Sequence, residues 1–534
     1  MRAEPFIVKR KVDWSFLILF LAFAGMSSWM ILFRPLASAT AFCVIDDAMY
    51  YLKIAQNLIA TGRCTYDGIT LTNGFHPLWL LCLLPVYAVA RDPFVAMRLV
   101  FVLVFLLLCA CLLLLRRASD RLHLPVSGRF VMGFLILLNL RTFTLFYGLL
   151  ESPLVLLTYL FYVVFSLKTG SSRWRVPRVA FWNGMLIGLC FLARLDSFLL
   201  AVAYGLILTV RAIRDRTGWL EWIKAAMASA TGCLLVALPY LITNQVVFGR
   251  LSTVSAYMKG QSPSLQSISI LRSWFLSQFL PRFQYILGLE SIPRAVMAGA
   301  WIAGLMVGLV FLVWAIRRSA RRTDLIPLSD FWLFAGIHLG FICLVAPLDA
   351  VASVWYLVPE ILSAGLLFGW AMPDFRWRRV HLVPAFVLAL LAVQVAIYPA
   401  FLRRKTMTFA KLEVARALRE KEWTGVRGCM FDSGIVSYFS QRDFVSLNGL
   451  IGDFEQADRL RRGDLSGLVR AGRIEILVLD TPKALLPELA VHERWRSRTE
   501  TRFENFQEAP KPFVVYSVTP ETIGSIWTLR YGPR

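Results

Sequence analysis

Charge is what this chain has least of. Only 17% of its 534 residues are charged, where a soluble globular chain carries about 25%. Acidic residues are the scarcer kind: 34 Asp and Glu stand against 57 Lys and Arg, for a net charge of +23. A water-facing surface cannot be covered so thinly, which excludes a cytosolic enzyme, a disordered chain and a secreted disulfide scaffold. The basic excess does not mark a nucleic-acid partner either, because those residues fall in short clusters between apolar runs and not on one soluble face. Cysteine in polar surroundings is rare. Of nine Cys, only Cys43, Cys64 and Cys429 lie in polar segments, and the others act as small hydrophobes. The sequence has no metal-ligand Cys/His spacing, no G-x-S-x-G and no Walker-type glycine loop. Internal repeats, low-complexity stretches and long linkers are missing too.

What is abundant is apolar sequence, 57% of the chain. Apolar runs recur at 14–33, 76–90, 94–115, 130–147, 152–167, 179–193, 197–213, 221–243, 295–316, 328–346, 354–372 and 380–399. The first is as long as a spanning helix and lacks a small-residue cleavage site, so no cleavable signal peptide is expected. Basic clusters occupy every second gap: Lys9-Arg10-Lys11, Arg116 to Arg129, Lys168 to Arg178, Arg211 to Arg216, Arg317 to Arg322, and Arg376 to Arg379. The positive-inside rule puts these clusters and the N-terminus in the cytoplasm. The run 76–90 is short for a span and holds Pro77 and Pro85, so it reads as a re-entrant or interfacial helix on the outer side. That leaves eleven spans in a domain over residues 1–399, with outer loops at 34–75 and 244–294. Residues 400–534 then lie outside. There, short β-like runs (Val426–Phe431, Phe444–Leu447, Ile474–Leu479, Pro512–Val518) alternate with polar helical stretches, as in a small α/β domain.

Polar residues at membrane depth or on tight outer turns are costly and therefore candidates for function. Four groups fall on the same outer side. In the first, Asp46-Asp47 opens a helix on which Asp46, Tyr50, Lys53 and Asn57 form a polar stripe and Tyr51, Ile54 and Leu58 an apolar one. Such a helix would lie in the interface, with the stripe toward an aqueous cavity; one carboxylate would suffice as a simple cap. The second, Thr72-Asn73-Gly74-Phe75-His76-Pro77, turns into the 76–90 helix, with His76 either structural or in contact with an acceptor. The third comprises the turns at Glu151 and at Arg194-Leu195-Asp196, which are functional or else a cap and a local ion pair. In the fourth, the 244–294 loop carries Tyr257 and Lys259, the latter a phosphate ligand or a solvated cation. Cys43 and Cys64 share the first outer loop and are a candidate disulfide in an oxidising exterior.

Taken in order, the Asp-Asp helix, "TNGFHPLW", "GLLESPL", "ARLDSFLL", "NQVVFGRLSTVSAYMKG", Trp355-Tyr356 and "DSGIVSYFSQRDFVSLNGLIGD" resemble the GT-C superfamily of integral-membrane glycosyltransferases. Protein O-mannosyltransferases, the lipid A aminoarabinose transferase and mycobacterial arabinofuranosyltransferases belong to it. The resemblance implies a helical multi-pass membrane fold of about 11 spans with a C-terminal extracytoplasmic α/β domain, set in a bacterial cytoplasmic membrane. It implies a polyprenyl-phosphate sugar as donor and a glycan, lipid or protein as acceptor. Asp46 would match the first-loop catalytic carboxylate, Asp47 its acidic neighbour and Glu151 the second-loop acid. Arg194 and Lys259 would meet the donor phosphate. Tyr50, Lys53, Asn73, His76, Asp196, Tyr257, Trp355, Tyr356 and Asp432 would line the substrate cavity. The family pair is often Asp-Glu, so Asp47 departs from it. Members differ in metal use, which leaves a divalent cation (Mg or Mn, on Asp47 and Glu151) open. The chemistry suits these residues, because a positioned Asp can take the acceptor proton while a cation stabilises the leaving lipid phosphate. Two rivals stand beside this reading: a lipid-linked-saccharide flippase or polymerase, and a non-catalytic scaffold. A transporter would place broken helices near the bilayer midplane.

Overall fold

The computed structural model describes residues 14–170, 173–259, 327–345, 354–372, 406–479, 493–501 and 511–519. It is mainly helical, with one small sheet near the C-terminus. The N-terminal run forms α1 (Trp14–Ser28), which continues through a π-turn to Phe33. Pro35 stops it, and α2 (Leu36–Cys43) and α3 (Asp46–Thr61) follow, the latter closed by Gly62 at φ +69°. Next come α4 (Pro77–Val89) and α5 (Pro93–Arg121). Each has proline at its first position, where the missing N–H costs nothing. Asp92 caps α5, accepting from the amides of Phe94 and Val95 at 3.0 Å. Then α6 (Val126–Gly133), a π-turn over Phe134–Leu138 and α7 (Leu140–Phe146) make one apolar run bent by 47°. The bend falls at Asn139, whose side chain caps the second half at Arg141 N, 2.9 Å away.

The bundle continues with α8 (Ser152–Thr169), α9 (Pro177–Ala193), α10 (Phe198–Arg214), α11 (Trp219–Phe248) and the short α12 (Val254–Lys259). Beyond lie α13 (Ser329–Val345) and α14 (Val358–Ala371). Five of the described helices are long and apolar enough to cross a membrane, or six with the bent pair as one span. Pro77–Val89, Pro177–Ala193 and Trp355–Ala371 are apolar but shorter. The expected spans at 295–316 and 380–399, and the 244–294 loop from residue 260 onward, lie outside the described residues. On α11, Met227, Leu235, Ile242 and Val246 are exposed. So large an apolar surface is stable only against lipid, and the protein is a multi-pass membrane protein. Hydrophobicity cannot hold two helices together in lipid, so small residues bring them close. A Cβ on Gly184 of α9 would lie 1.9 Å from Ser229 O of α11, and one on Gly232 of α11 2.2 Å from Phe181 O.

The C-terminal domain is an α/β unit: α15 (Thr406–Leu418), β1 (Gly428–Met430), α16 (Gly434–Ser440), β2 (Phe444–Ser446), α17 (Phe454–Arg461), α18 (Leu465–Gly472), β3 (Ile476–Leu479), β4 (Glu493–Thr501) and β5 (Lys511–Ser517). The sheet order is β2-β1-β3-β5-β4. Strands β1, β2 and β3 run parallel, with Gly428 opposite both Phe444 and Ile476, while β5 is antiparallel to β3 and β4. Side chains alternate between two cores. Met430, Phe444, Ile476, Val478 and Val515 join the main core shared with the helices. Cys429, Val445, Leu477, Val514 and Tyr516 pack with Leu460, Leu465 and Leu468 in a second one. Three of the four β-like runs read from the sequence contain β1, β2 and β3, and the fourth, Pro512–Val518, overlaps all of β5 but Lys511. The missed strand, β4, is polar apart from Trp495 and sits at the sheet edge, where charge guards against further pairing.

Cys43 and Cys64 are both free thiols, against the disulfide expected from their shared loop. The 16-residue helix α3 stands between them and, straight, spans about 24 Å. Burial pushes the Cys64 thiol up to about 12.

Gly184→Leu is expected to pry α9 from α11. Overpacking of this kind costs about 1–3 kcal/mol, and thermal unfolding in detergent should show a lower midpoint than for Gly205→Leu, where a Cβ meets open space.

Candidate functional site

A cavity of about 590 Å³ opens where the ends of α3, α4, α8, α9 and α12 meet the C-terminal domain. Asp47, Tyr50, Tyr51, His76, Glu151, Arg194, Asp196, Trp355 and Tyr356 line it, and Leu450 and Ile451 of the C-terminal domain reach in from above. The turn carrying Glu151 is set by backbone strain. Leu149 adopts φ +62° with its side chain fully buried, and Gly148 O accepts from Ile45 N at the start of α3. The strained turn thus ties the Glu151 loop to the Asp-Asp helix.

At the centre is Arg194, 1% exposed at the end of α9. Its Nη1 donates to Glu151 Oε1, its Nε to Asp196 Oδ2 at 2.9 Å, and its guanidinium lies 3.9 Å from the Tyr356 ring centre. His338, buried on α13, extends the network: Nδ1 is 2.9 Å from Glu360 Oε1 and Nε2 3.5 Å from Asp196 Oδ2. His76 joins from the other side. Its Nδ1 accepts from Leu195 N at 3.3 Å, so the proton sits on Nε2, which is 3.6 Å from Glu151 Oε1. The Tyr51 ring stacks on His76.

The two aspartates part company. Consecutive helical residues point about 100° apart, and here that sends Asp47 into the cavity while Asp46 is not among its lining residues. Asp46 instead accepts from Lys411 Nζ at 2.9 Å, Gly434 N at 2.8 Å and Ile435 N at 3.3 Å. A Cβ on Gly434 would lie 2.1 Å from Asp46 O, so only glycine lets α16 come this near. Burial raises the Asp46 carboxyl above its ordinary range, with Lys411 pulling the other way.

The polar stripe of α3 therefore faces protein, not the open cavity predicted from its periodicity. Tyr50 is hydroxyl-bonded to Ser446 at 3.0 Å and accepts from Asn448 at 2.9 Å while also touching the cavity. Lys53 is buried 3.9 Å from Asp443, and burial lowers its ammonium. Asn57 holds the Thr65 and Tyr66 carbonyls. The stripe is the surface on which the C-terminal domain and the following loop dock, and polar spacing alone cannot tell that from a wet face.

Other sequence candidates also fall outside the cavity. Asn73 donates to Asn244 and Ser252 and accepts from Val254 N, pinning α12 beside the cavity. Tyr257 donates to Asp458 at 2.5 Å and is covered by Arg461. Asp432, at φ +47°, accepts from Lys411 through its carbonyl and from Asn448 through its carboxylate. The side chain of Lys259 lies outside those described. The sequence reading missed Tyr51, His338, Glu360 and Lys411. A signal was there for two of them: His338 sits inside one apolar run and Glu360 inside another, and ionisable residues in such runs are candidates by default.

A divalent cation does not suit this donor set. Among the described residues no three His, Cys, Asp or Glu side chains are grouped to hold one. Glu151 keeps one oxygen, Oε2, without a partner, but its other oxygen is already neutralised by Arg194.

The fold and cavity define a multi-pass membrane protein whose charged chamber lies under an α/β roof. No protein-family model and no curated protein matches the chain. Among solved structures it is similar to the archaeal oligosaccharyltransferase AglB from Archaeoglobus fulgidus, in complex with an inhibitory peptide and a dolichol-phosphate. That similarity has a TM-score of 0.48 and 11% identity, over 88% of this chain and 70% of that one. Likeness at this level leaves the functional reading to the cavity itself.

Removing one partner of a buried ion pair costs about 3–5 kcal/mol, whereas removing both costs far less. Glu151→Ala is therefore expected to lower the unfolding midpoint, Arg194→Met to lower it further because it strands both Glu151 and Asp196, and the double variant to lose less than the sum of the two. Additive losses in the thermal denaturation of all three variants would show that the pair is not coupled.

Proposed function

We propose that the chain is a GT-C-type glycosyltransferase. It moves a sugar from a polyprenyl-phosphate donor to an acceptor hydroxyl, in the cavity on the outer face of a bacterial cytoplasmic membrane. One observation carries the reading: a carboxylate, Asp47, and a buried guanidinium, Arg194, line one chamber where the helix ends meet the roof domain. Transfer needs both kinds of group at once. The acceptor oxygen attacks the anomeric carbon and gives its proton to Asp47, while the bond from that carbon to the phosphate oxygen breaks. Attack opposite the phosphate inverts the anomeric centre. Charge gathers on the leaving lipid phosphate, where Arg194 and the Nε2–H of His76 stabilise it. Apolar lining residues such as Phe191, Phe198 and Phe341 suit the first units of a polyprenyl chain.

The base moves from Asp46 to Asp47 in this reading. Asp46 has a complete set of partners in the C-terminal domain, so its work is to hold the roof over the cavity. A flippase or polymerase would also place charge here, but Glu151, Arg194 and Asp196 belong to one chamber at one end of the bundle, whereas a transporter's charges belong near the bilayer midplane.

The decisive measurement is release of polyprenyl phosphate from a lipid-linked sugar by the purified protein. Asp47→Asn should lower turnover by roughly 10²–10⁴-fold, the worth of a positioned base, with little change in thermal stability. Asp46→Asn keeps an acceptor for Gly434 N but loses the charge facing Lys411, so it should lower stability more than turnover. Near wild-type turnover in Asp47→Asn would overturn the assignment.

A further inference from the structure

A second concavity, of about 540 Å³, lies far from the first. It is lined by Arg117 and Arg121 of α5, Phe161, Phe165 and Lys168 of α8, and Trp182 of α9, among others. Helix rise gives its depth. Helix α5 begins under the C-terminal domain, where Tyr438 donates to Pro93 O at 2.8 Å and the Phe94 and Phe439 rings are 5.3 Å apart. From Pro93 to Arg117 the helix runs about 36 Å, and from Glu151 to Lys168 α8 runs about 25 Å. A hydrocarbon core is about 30 Å thick. The groove therefore sits at the headgroup level of the leaflet opposite the cavity, the side that the basic clusters mark as cytoplasmic.

Among the described residues its three cations, Arg117, Arg121 and Lys168, have no carboxylate partner. The acid lining it, Asp120, is held by Arg129 Nη2 at 3.1 Å. Beside these cations stands an aromatic wall, with Phe161 47% and Trp182 46% exposed. Cations at headgroup height over an apolar wall that runs toward the membrane core match a molecule with an anionic head and a hydrocarbon tail. A free anion would use the cations and leave the wall unexplained.

We propose that this groove holds an anionic phospholipid of the surrounding membrane. Its phosphate lies among Arg117, Arg121 and Lys168, and an acyl chain runs along Phe161, Phe165 and Trp182. The site is separate from the cavity, and its occupancy does not depend on what the cavity does.

The test places full-length protein in nanodiscs of equal phosphatidylglycerol and phosphatidylcholine, transfers it to neutral detergent and counts retained lipid by native mass spectrometry. Wild type should retain phosphatidylglycerol over phosphatidylcholine by about tenfold or more, as three cations near a headgroup allow. Arg117→Gln/Arg121→Gln/Lys168→Gln should bring the ratio near one. Arg117→Lys/Arg121→Lys should preserve it, and Trp182→Ala should weaken retention with every charge in place. Excess inorganic phosphate should leave the lipid bound. Equal retention of the two lipids by wild type would overturn the proposal, as would a ratio unchanged in the triple glutamine variant or displacement of the lipid by phosphate. Should the triple variant not fold, the wild-type ratio, the lysine variant and the phosphate arm still decide.

Discussion

A guanidinium with 1% of its surface exposed has to be surrounded by acceptors, and much of the described architecture follows from meeting that need at Arg194. Glu151 reaches it from the turn before α8, Asp196 from the 3-10 turn after α9, and Tyr356 covers its face from the start of the α14 region. His338 of α13 then meets Asp196, and Glu360 of α14 holds His338 in turn. The partners come from the turns beside α8, α9 and α10, from α13 and from the start of α14, so the network fixes where these elements stand relative to one another. Lipid supplies no hydrophobic force for that task, which falls to polar contacts such as these and to close glycine packing between α9 and α11.

The same economy governs the join between the membrane domain and its roof. Helix α3 is used on two faces at once. Its polar stripe carries Asp46, Tyr50 and Lys53 to the C-terminal domain, while Asp47 and Tyr51 look into the cavity. A carboxylate on the first amides of α16, with Lys411 beside it, is a strong and directional contact. It places β1 and β2 so that the residues following them, Asp432 and Asn448, come down over α3. The roof is thus an integral wall of the chamber, and Leu450 and Ile451 close its upper side.

Residues chosen from the sequence sort by the kind of signal that exposed them. Glu151, Arg194 and Asp196 stood out as charges on tight turns between apolar runs, and the structure brings all three together with Asp47 in one cavity. Lys53, Asn73, Tyr257 and Asp432 were picked for polarity near those turns, and they hold the surrounding walls instead. Polarity near a site marks what must be hydrogen-bonded once buried, and a wall needs that as much as a substrate does. His338 and Glu360 lie on no tight outer turn, and their signal is instead the setting of an ionisable residue inside an apolar run.

By itself, the sequence determined the solvent and the class. Runs of apolar residues beyond what water tolerates, basic clusters in alternate gaps and a change in composition near residue 400 follow from one-dimensional statistics of transfer energy. So do the four buried strands, whose apolar runs needed no knowledge of neighbours. Only the tertiary structure decided which of two adjacent aspartates meets the cavity. A rotation of about 100° between neighbours separates them, and what each one meets depends on a domain whose lysine and helix amides lie more than 360 residues further along the chain.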